Sequence, residues 1–257
     1  MGILDDLIST LPDLEVLQVC IGLHWTGVVV ESDGVRRCGL ASTLHAKEHH
    51  HGIPDVPQSG QLANMSGLTL ARFAQSELPT LASVGVAAIN ALIPPQPELW
   101  VDMNAEEVIA EKGAGKSVVL IGEFPFVPRL RQRVGELIVL ERDPEKGDLP
   151  DTAAPAVIPT AEVVAITGMT LINHTLESLL DLCSPRALMI LIGPSVPLSP
   201  LLFDYGFDLL CGSVVTAIDP VLQIICQAGN FRQMHRAGVR LVTVTKPGFN
   251  ENAGGSL

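Results

Sequence analysis

The clearest pattern in the chain lies at residues 163–197. VVAIT is a short, unbroken apolar run that Gly168 ends, and Met169-Thr170-Leu171-Ile172-Asn173-His174-Thr175 then leads into the helical pattern LESLLDL. ALMILIG at 187–193 repeats strand and turn, closing on Gly193-Pro194-Ser195. Continuous apolar strands separated by helical stretches suit a parallel sheet covered on both faces. The same alternation runs through VVLIG (118–122), ELIVLE (136–141), EVVAIT (162–167), DLLCGSVV (208–215) and RLVTVT (240–245). It predicts a Rossmann-like parallel-sheet domain over 99–248. Hydroxyls, an amide and free backbone N–H groups after such strands gather at the carboxyl edge of the sheet, where open α/β sheets bind ligands.

The first part of the chain has a different period. Residues 3–10 place Ile3, Leu4, Leu7 and Ile8 around Asp5 and Asp6, the pattern of a short amphipathic helix stopped near Pro12. Strands follow at 16–21, 26–31 and 35–40, with Ser32-Asp33-Gly34 as a hairpin turn, which together predict an antiparallel meander. Residues 44–62 have no period and are rich in His, Gly and Pro, so they read as a long loop. Helices are expected at 68–75 and 81–92, the second rich in small residues and ended by Pro94-Pro95. That small-residue face leaves two partners open, its own domain or a second subunit in a homodimer. The composition shift at 94–100 marks a linker, giving an α/β chain in three parts: a small α+β domain over 1–98, the Rossmann-like domain, and a flexible tail over 249–257. Asn104 suits a helix N-cap with Glu107 as its partner, and Gly113 the end of that helix.

Composition narrows the function. The chain has 257 residues, 47% of them hydrophobic, and a formal net charge of −12. An acidic protein has no electrostatic grip on nucleic acid or an anionic membrane, so neither is an expected partner and a small molecule, a metal or a protein is. Five cysteines lie far apart without a C-x-x-C pair, which argues against a disulfide framework and for a reducing cytoplasm. No apolar run reaches membrane-spanning length, and the N-terminus lacks a basic leader pattern.

Two nucleotide signatures fail. Gly113-Ala114-Gly115-Lys116-Ser117 ends like a phosphate loop, but the first glycine of that motif would fall at Ala110 and the segment precedes a strand instead of following one. After the first strand stands Gly122-Glu123-Phe124-Pro125-Phe126, whose proline and phenylalanines block the close backbone approach of a pyrophosphate. Ordinary ATP and NAD loops are therefore absent. His45, His49, His50 and His51 form the one metal-like cluster, with Glu48 or Asp55 able to complete it; a divalent metal and a solvated histidine loop are the two readings. Glu141 and Arg142 end the second strand near Thr170, Asn173 and Ser195, so a carboxylate, a guanidinium, hydroxyls and an amide meet at one sheet edge. The carboxylate is a candidate base and His174 another; the alternatives are that Glu141 and Arg142 pair with each other or cap loops, that Thr170 and Asn173 cap their helix, and that His174 is simply a partly exposed residue at a helix start. Asp219, before VLQIICQAG, fits either a cleft acid or an N-cap. Ser195 lacks the G-x-S-x-G context of a hydrolase nucleophile.

Several ordered motifs coincide with those of one family. They are Ser83-Val84-Gly85 with Ala88-Ile89-Asn90-Ala91-Leu92, Gly122-Glu123-Phe124-Pro125-Phe126, Glu141-Arg142-Asp143-Pro144 with Gly147-Asp148-Leu149-Pro150, the run from Thr167 to Glu177, and Gly193-Pro194-Ser195. On these the chain, over about residues 10–248, resembles a group of uncharacterised prokaryotic proteins described as "putative heavy-metal chelation" domains. The resemblance implies an enolase N-terminal-like domain, a Rossmann-like domain and a site where they meet, with Asn90 facing the second domain. It departs from the family at His174, where a small residue is expected after the asparagine. Three functions remain in view. The first is a binder of a small polar ligand, a metal or a metal chelate, through Asn90, Phe126, Glu141, Arg142, Thr170, Asn173, Ser195 and Asp219. The second is an acid/base enzyme acting on a small metabolite or cofactor precursor through Glu141 or His174. The third is a non-catalytic protein-interaction role.

Overall fold

The computed structural model describes residues 2–46, 54–145 and 147–249. The expectations for Glu48, His49, His50 and His51 and for the tail beyond Phe249 lie outside the described residues. Helix α1 (Ile3–Ser9) buries Ile3 and Leu7. It is followed by an antiparallel sheet of three strands, β1 (Glu15–Ile21), β2 (Trp25–Ser32) and β3 (Val35–Ser42), in the order β1-β2-β3. Asp33 and Gly34 both have positive φ, 53° and 76°, so the β2–β3 turn has the hand that matches strand twist. Ser66 accepts a hydrogen bond from the Thr69 N–H and starts α2 (Gly67–Arg72), which leads to α3 (Pro79–Leu92).

Helix α3 is almost wholly buried within the chain. A Cβ on Gly39 would lie 2.2 Å from the Ala87 carbonyl oxygen, and one on Gly85 would lie 1.8 Å from the Ala74 nitrogen. The small residues thus serve close approach to β3 and to the turn at 73–75 of the same chain.

The second sheet has eight strands in the order β4-β11-β10-β9-β8-β5-β6-β7. In chain order these are β4 (Trp100–Val101), β5 (Ser117–Ile121), β6 (Glu136–Glu141), β7 (Leu149–Pro150), β8 (Val163–Thr167), β9 (Leu188–Ile192), β10 (Leu209–Val215) and β11 (Val239–Thr245). The intervening helices are α4 (Ala105–Lys112), α5 (Val127–Leu130), α6 (Ala154–Val157), α7 (Met169–Ile172), α8 (Leu176–Leu180), α9 (Ile218–Cys226) and α10 (Phe231–Ala237). Asn104 caps α4 through the Glu106 N–H, while Glu107 pairs with Arg133 instead of completing a capping box.

Strands β6, β5, β8, β9 and β10 run parallel, but β11 is antiparallel to β10 and β4 to β11. Two helices, α9 and α10, stand between β10 and β11. They return the chain to the end it left, so Val239 sits opposite Val215 and the last strand runs back. Strand order reverses between β5 and β8, since β6 is added on one side of β5 and β8 on the other. That reversal opens a crevice at the carboxyl ends.

The two faces of the large sheet are covered differently. Val118, Leu120, Val139 and Ala165 pack with Val108 and Ile109 of α4. On the opposite face Val119, Val164, Ile166 and Leu191 share one continuous core with α1, α3 and Val28 and Val30 of β2. The small sheet's other side, Cys20, Val29 and Leu40, packs on Val221, Leu222 and Ile225 of α9. The meander is therefore held between α3 and α9. Among the described residues no helix is long and apolar enough to cross a membrane.

Candidate functional site

A cavity of about 660 Å³ lies at the carboxyl ends of β5, β6 and β8. Gly122 ends β5 at φ 107°, and a Cβ there would lie 3.0 Å from that of Thr167 on β8. The glycine lets the chain leave the sheet without closing the crevice. Glu141, the last residue of β6, accepts hydrogen bonds from the Glu123 N–H at 2.5 Å and from the Arg142 N–H at 3.0 Å. Its carboxylate thus ties the β5 loop to the end of β6. Arg142 lies 3.8 Å from Asp151, on the segment that enters α6.

On the β8 side Thr170 is buried and donates to the Thr167 carbonyl at 2.7 Å. Asn173 closes α7, and its Oδ1 accepts from the Thr175 N–H at 3.2 Å and the Thr175 hydroxyl at 2.6 Å. The Asn173 Nδ2 has no protein partner among the described residues. Leu140, Pro155, Met169, Leu179 and Leu182 supply an apolar wall, with Leu44 reaching in from the first domain. Glu123, at the rim, has its carboxyl pushed above the usual carboxylate range by burial, then by the charges of Glu145, Glu141 and Asp148. The cavity can hold a molecule with an apolar body and a polar end.

Four residues singled out in the sequence, Glu141, Arg142, Thr170 and Asn173, therefore line one cavity. The others stand elsewhere. Ser195 is 2% exposed, accepts from the Ser42 N–H at 2.9 Å and donates to the Ser42 hydroxyl, joining the turn after β9 to the end of β3. Asn90 donates to the Leu40 and Ser195 carbonyls at 2.8 and 3.1 Å, so it does face the second domain, but at this seam. Phe126 stacks on Phe124, ring centroids 5.2 Å apart, against the α4 side of the sheet.

Asp219 is the second residue of α9 and not its cap, and pairs with Arg36 of β3 at 2.7 Å with its side chain 76% exposed. His174 sits at φ 58° and hydrogen-bonds through Nε2 to the Ala74 carbonyl at 2.7 Å. A left-handed backbone explains why a small residue suits that place, and the bond to Ala74 offsets the strain. His45 is exposed and bonds to the Leu23 carbonyl at 2.8 Å. No three His, Cys, Asp or Glu side chains converge to hold a metal ion among the described residues.

Glu123, Asp151 and Thr167 are cavity residues that the sequence did not single out, whereas Thr175, one of the hydroxyls expected at the sheet edge, lines it too. The signal for Glu123 was available, since it follows a strand-ending glycine on the strand next to the reversal.

The family model for DUF364, described as "putative heavy-metal chelation", matches residues 104–243. The chain belongs to the DUF364 family. A second model with the same description, DUF4213, matches residues 4–93. An uncharacterised protein of Methanocaldococcus jannaschii is 28% identical over 220 residues, covering 82% of each chain. A DUF364 protein of unknown function from Desulfitobacterium hafniense has a crystal structure that superposes with a TM-score of 0.82 at 26% identity, over 95% of this chain and 98% of that one. The corresponding structure from Pyrococcus horikoshii gives 0.79 at 24% identity, over 94% and 97%, and shows the shared fold.

Proposed function

We propose that this DUF364 member binds a small organic molecule in the cavity at the carboxyl ends of β5, β6 and β8, and that any metal arrives there as a chelate. The observation that carries the reading is the composition of that cavity. A polar end formed by Arg142, Asn173 and Thr175 meets an apolar wall of Met169, Leu179 and Leu182 at the strand-order reversal. A chelate brings its own donor atoms, which fits a site where Glu141 is already engaged with two backbone N–H groups and Asp151 lies beside Arg142. The family description points to metals, and an oxygen- and nitrogen-rich chelate of a hard or borderline ion suits these side chains better than a thiolate-bound soft one. The setting is a reducing cytoplasm, in keeping with five free thiols.

The test is native mass spectrometry with elemental analysis on untagged protein purified without chelators, beside Thr152→Trp, which places an indole at the exposed rim. The expected result is a retained organic mass or metal in the wild type that is absent from the variant. Equal retention in both would overturn the reading. Acid/base chemistry is the second reading, favoured by the raised Glu123 carboxyl beside Glu141.

A further inference from the structure

Two of the five free thiols, Cys20 of the first domain and Cys226 of the second, come together where β1 packs on α9. Cys20 is 7% exposed, and its Sγ donates to the Leu222 carbonyl at 3.9 Å. Leu222 lies one helical turn before Cys226, the last residue of α9, and a helical side chain leans back over the turn that precedes it. The Cys226 side chain is thus set over the turn that Cys20 reaches, and the two thiols hydrogen-bond to each other. The backbones touch at the same place, since a Cβ on Gly22, just after β1, would lie 2.2 Å from the Ile225 carbonyl oxygen.

The pair is asymmetric. Cys226 is exposed, whereas burial, and then the bond to Cys226, pushes the Cys20 thiol up to about 12. An oxidant in solution therefore meets Cys226 first, with Cys20 held behind it as a thiol. The other cysteines are placed differently. Cys38 stands on β3, two strand spacings or about 10 Å from β1, beyond the roughly 7 Å between Cα atoms that a disulfide spans. Its Sγ donates to the Gly39 carbonyl at 3.7 Å. Cys183 turns to the Leu179 carbonyl and Cys211 to the Thr243 hydroxyl.

We infer that Cys226 and Cys20 are a redox site, closed by a peroxide into a disulfide that clamps the three-stranded sheet to α9. With hydrogen peroxide, the Cys226 sulfur, as thiolate, attacks one peroxide oxygen. An S–O bond forms, the O–O bond breaks, and the hydroxide released takes up the proton that the thiol gave up, leaving as water. The Cys20 sulfur then attacks the sulfenic sulfur. The S–S bond forms, the S–O bond breaks, and the Cys20 proton leaves with the hydroxyl as a second water. Two electrons pass from the sulfurs to the peroxide, and a thiol reductant restores both cysteines by exchange. Transient cross-links of this kind are the ones a reducing compartment permits. Neither thiol lines the larger cavity, so the clamp does not depend on what binds there.

The test is mild treatment of the folded full chain with hydrogen peroxide, followed by thiol titration after unfolding and by tandem mass spectrometry without reduction. The expected results are a fall from five titratable thiols per chain to three and a linked pair of peptides carrying Cys20 and Cys226. The urea midpoint should rise and return to its starting value with dithiothreitol, because a cross-link between distant residues restricts the unfolded chain. Cys183→Ser, remote from the pair, should form the same link, and Cys226→Ser, at an exposed position, should keep its four remaining thiols. Absence of the linked pair from the oxidised wild type, recovery of Cys226 as a sulfinic acid or joined to any other cysteine, or an unchanged urea midpoint after oxidation would overturn the inference.

Discussion

Replacing Ser195 by alanine separates a structural hydroxyl from a ligand-binding one. Ser195 Oγ accepts from the backbone N–H of Ser42, the last residue of β3, and donates to its hydroxyl at 3.3 Å. Removing Oγ strands a backbone donor at the seam, a loss worth about 1–3 kcal/mol for a buried group. Ser42 is half-buried, so water can recover part of the loss, and we expect about 1–2 kcal/mol, a fall of roughly 2–8 °C in Tm for a chain of this size. Ser42→Ala keeps the N–H and loses only the weaker hydroxyl contact, so its effect should be smaller. Urea unfolding followed by tryptophan fluorescence is the assay, because Trp25 pairs directly with Ser42 across β2 and β3 and reports on this corner. Any species retained in the larger cavity should survive the substitution. Unchanged stability together with loss of that species would refute the reasoning and return Ser195 to the ligand site.

Two further outcomes follow from packing and burial. Gly85→Ala forces a Cβ to 1.8 Å from the Ala74 nitrogen, a backbone atom with no room to retreat, so we expect a loss of about 3 kcal/mol or more, read as insoluble expression or a collapsed urea midpoint. Cys211 is 7% exposed, and burial pushes its thiol up to about 11, opposed by the hydrogen bond from Thr243. Between an unfolded value of about 9 and that folded value, the unfolded chain has lost a proton that the folded chain keeps, so stability must fall as pH rises through this window, by up to about 3 kcal/mol from this residue. Urea midpoints across the alkaline range should decline in the wild type and less steeply in Cys211→Ala; parallel declines would contradict the assignment.

How far the sequence foretells this molecule depends on the range of the interaction that decides each feature. The central strands were readable because a parallel strand covered on both faces must be apolar throughout, as in VVLIG and ALMILIG, and that demand is local. The β2–β3 hairpin was readable for the same reason, since Asp33-Gly34 states its own backbone geometry. The direction of β11 was not, because it depends on two helices returning the chain, and the two-residue edge strands β4 and β7 carry too few residues for a pattern. The site divides along the same line. Glu141, Arg142, Thr170 and Asn173 lie at the carboxyl ends of β6 and β8, the two neighbours of β5 at the reversal, so strand order brings them together.

Ser195 also follows such a strand, yet its partner is Ser42, and His174 next to Asn173 turns to Ala74. Hydroxyls, amides and imidazoles cap, clamp and bind with the same atoms, and here only a partner 100 or 153 residues away determines which. Asn90 makes the point most sharply. Its Nδ2 donates to the Leu40 and Ser195 carbonyls, so an amide expected at a ligand site joins the end of α3 to β3 and to the turn after β9 instead.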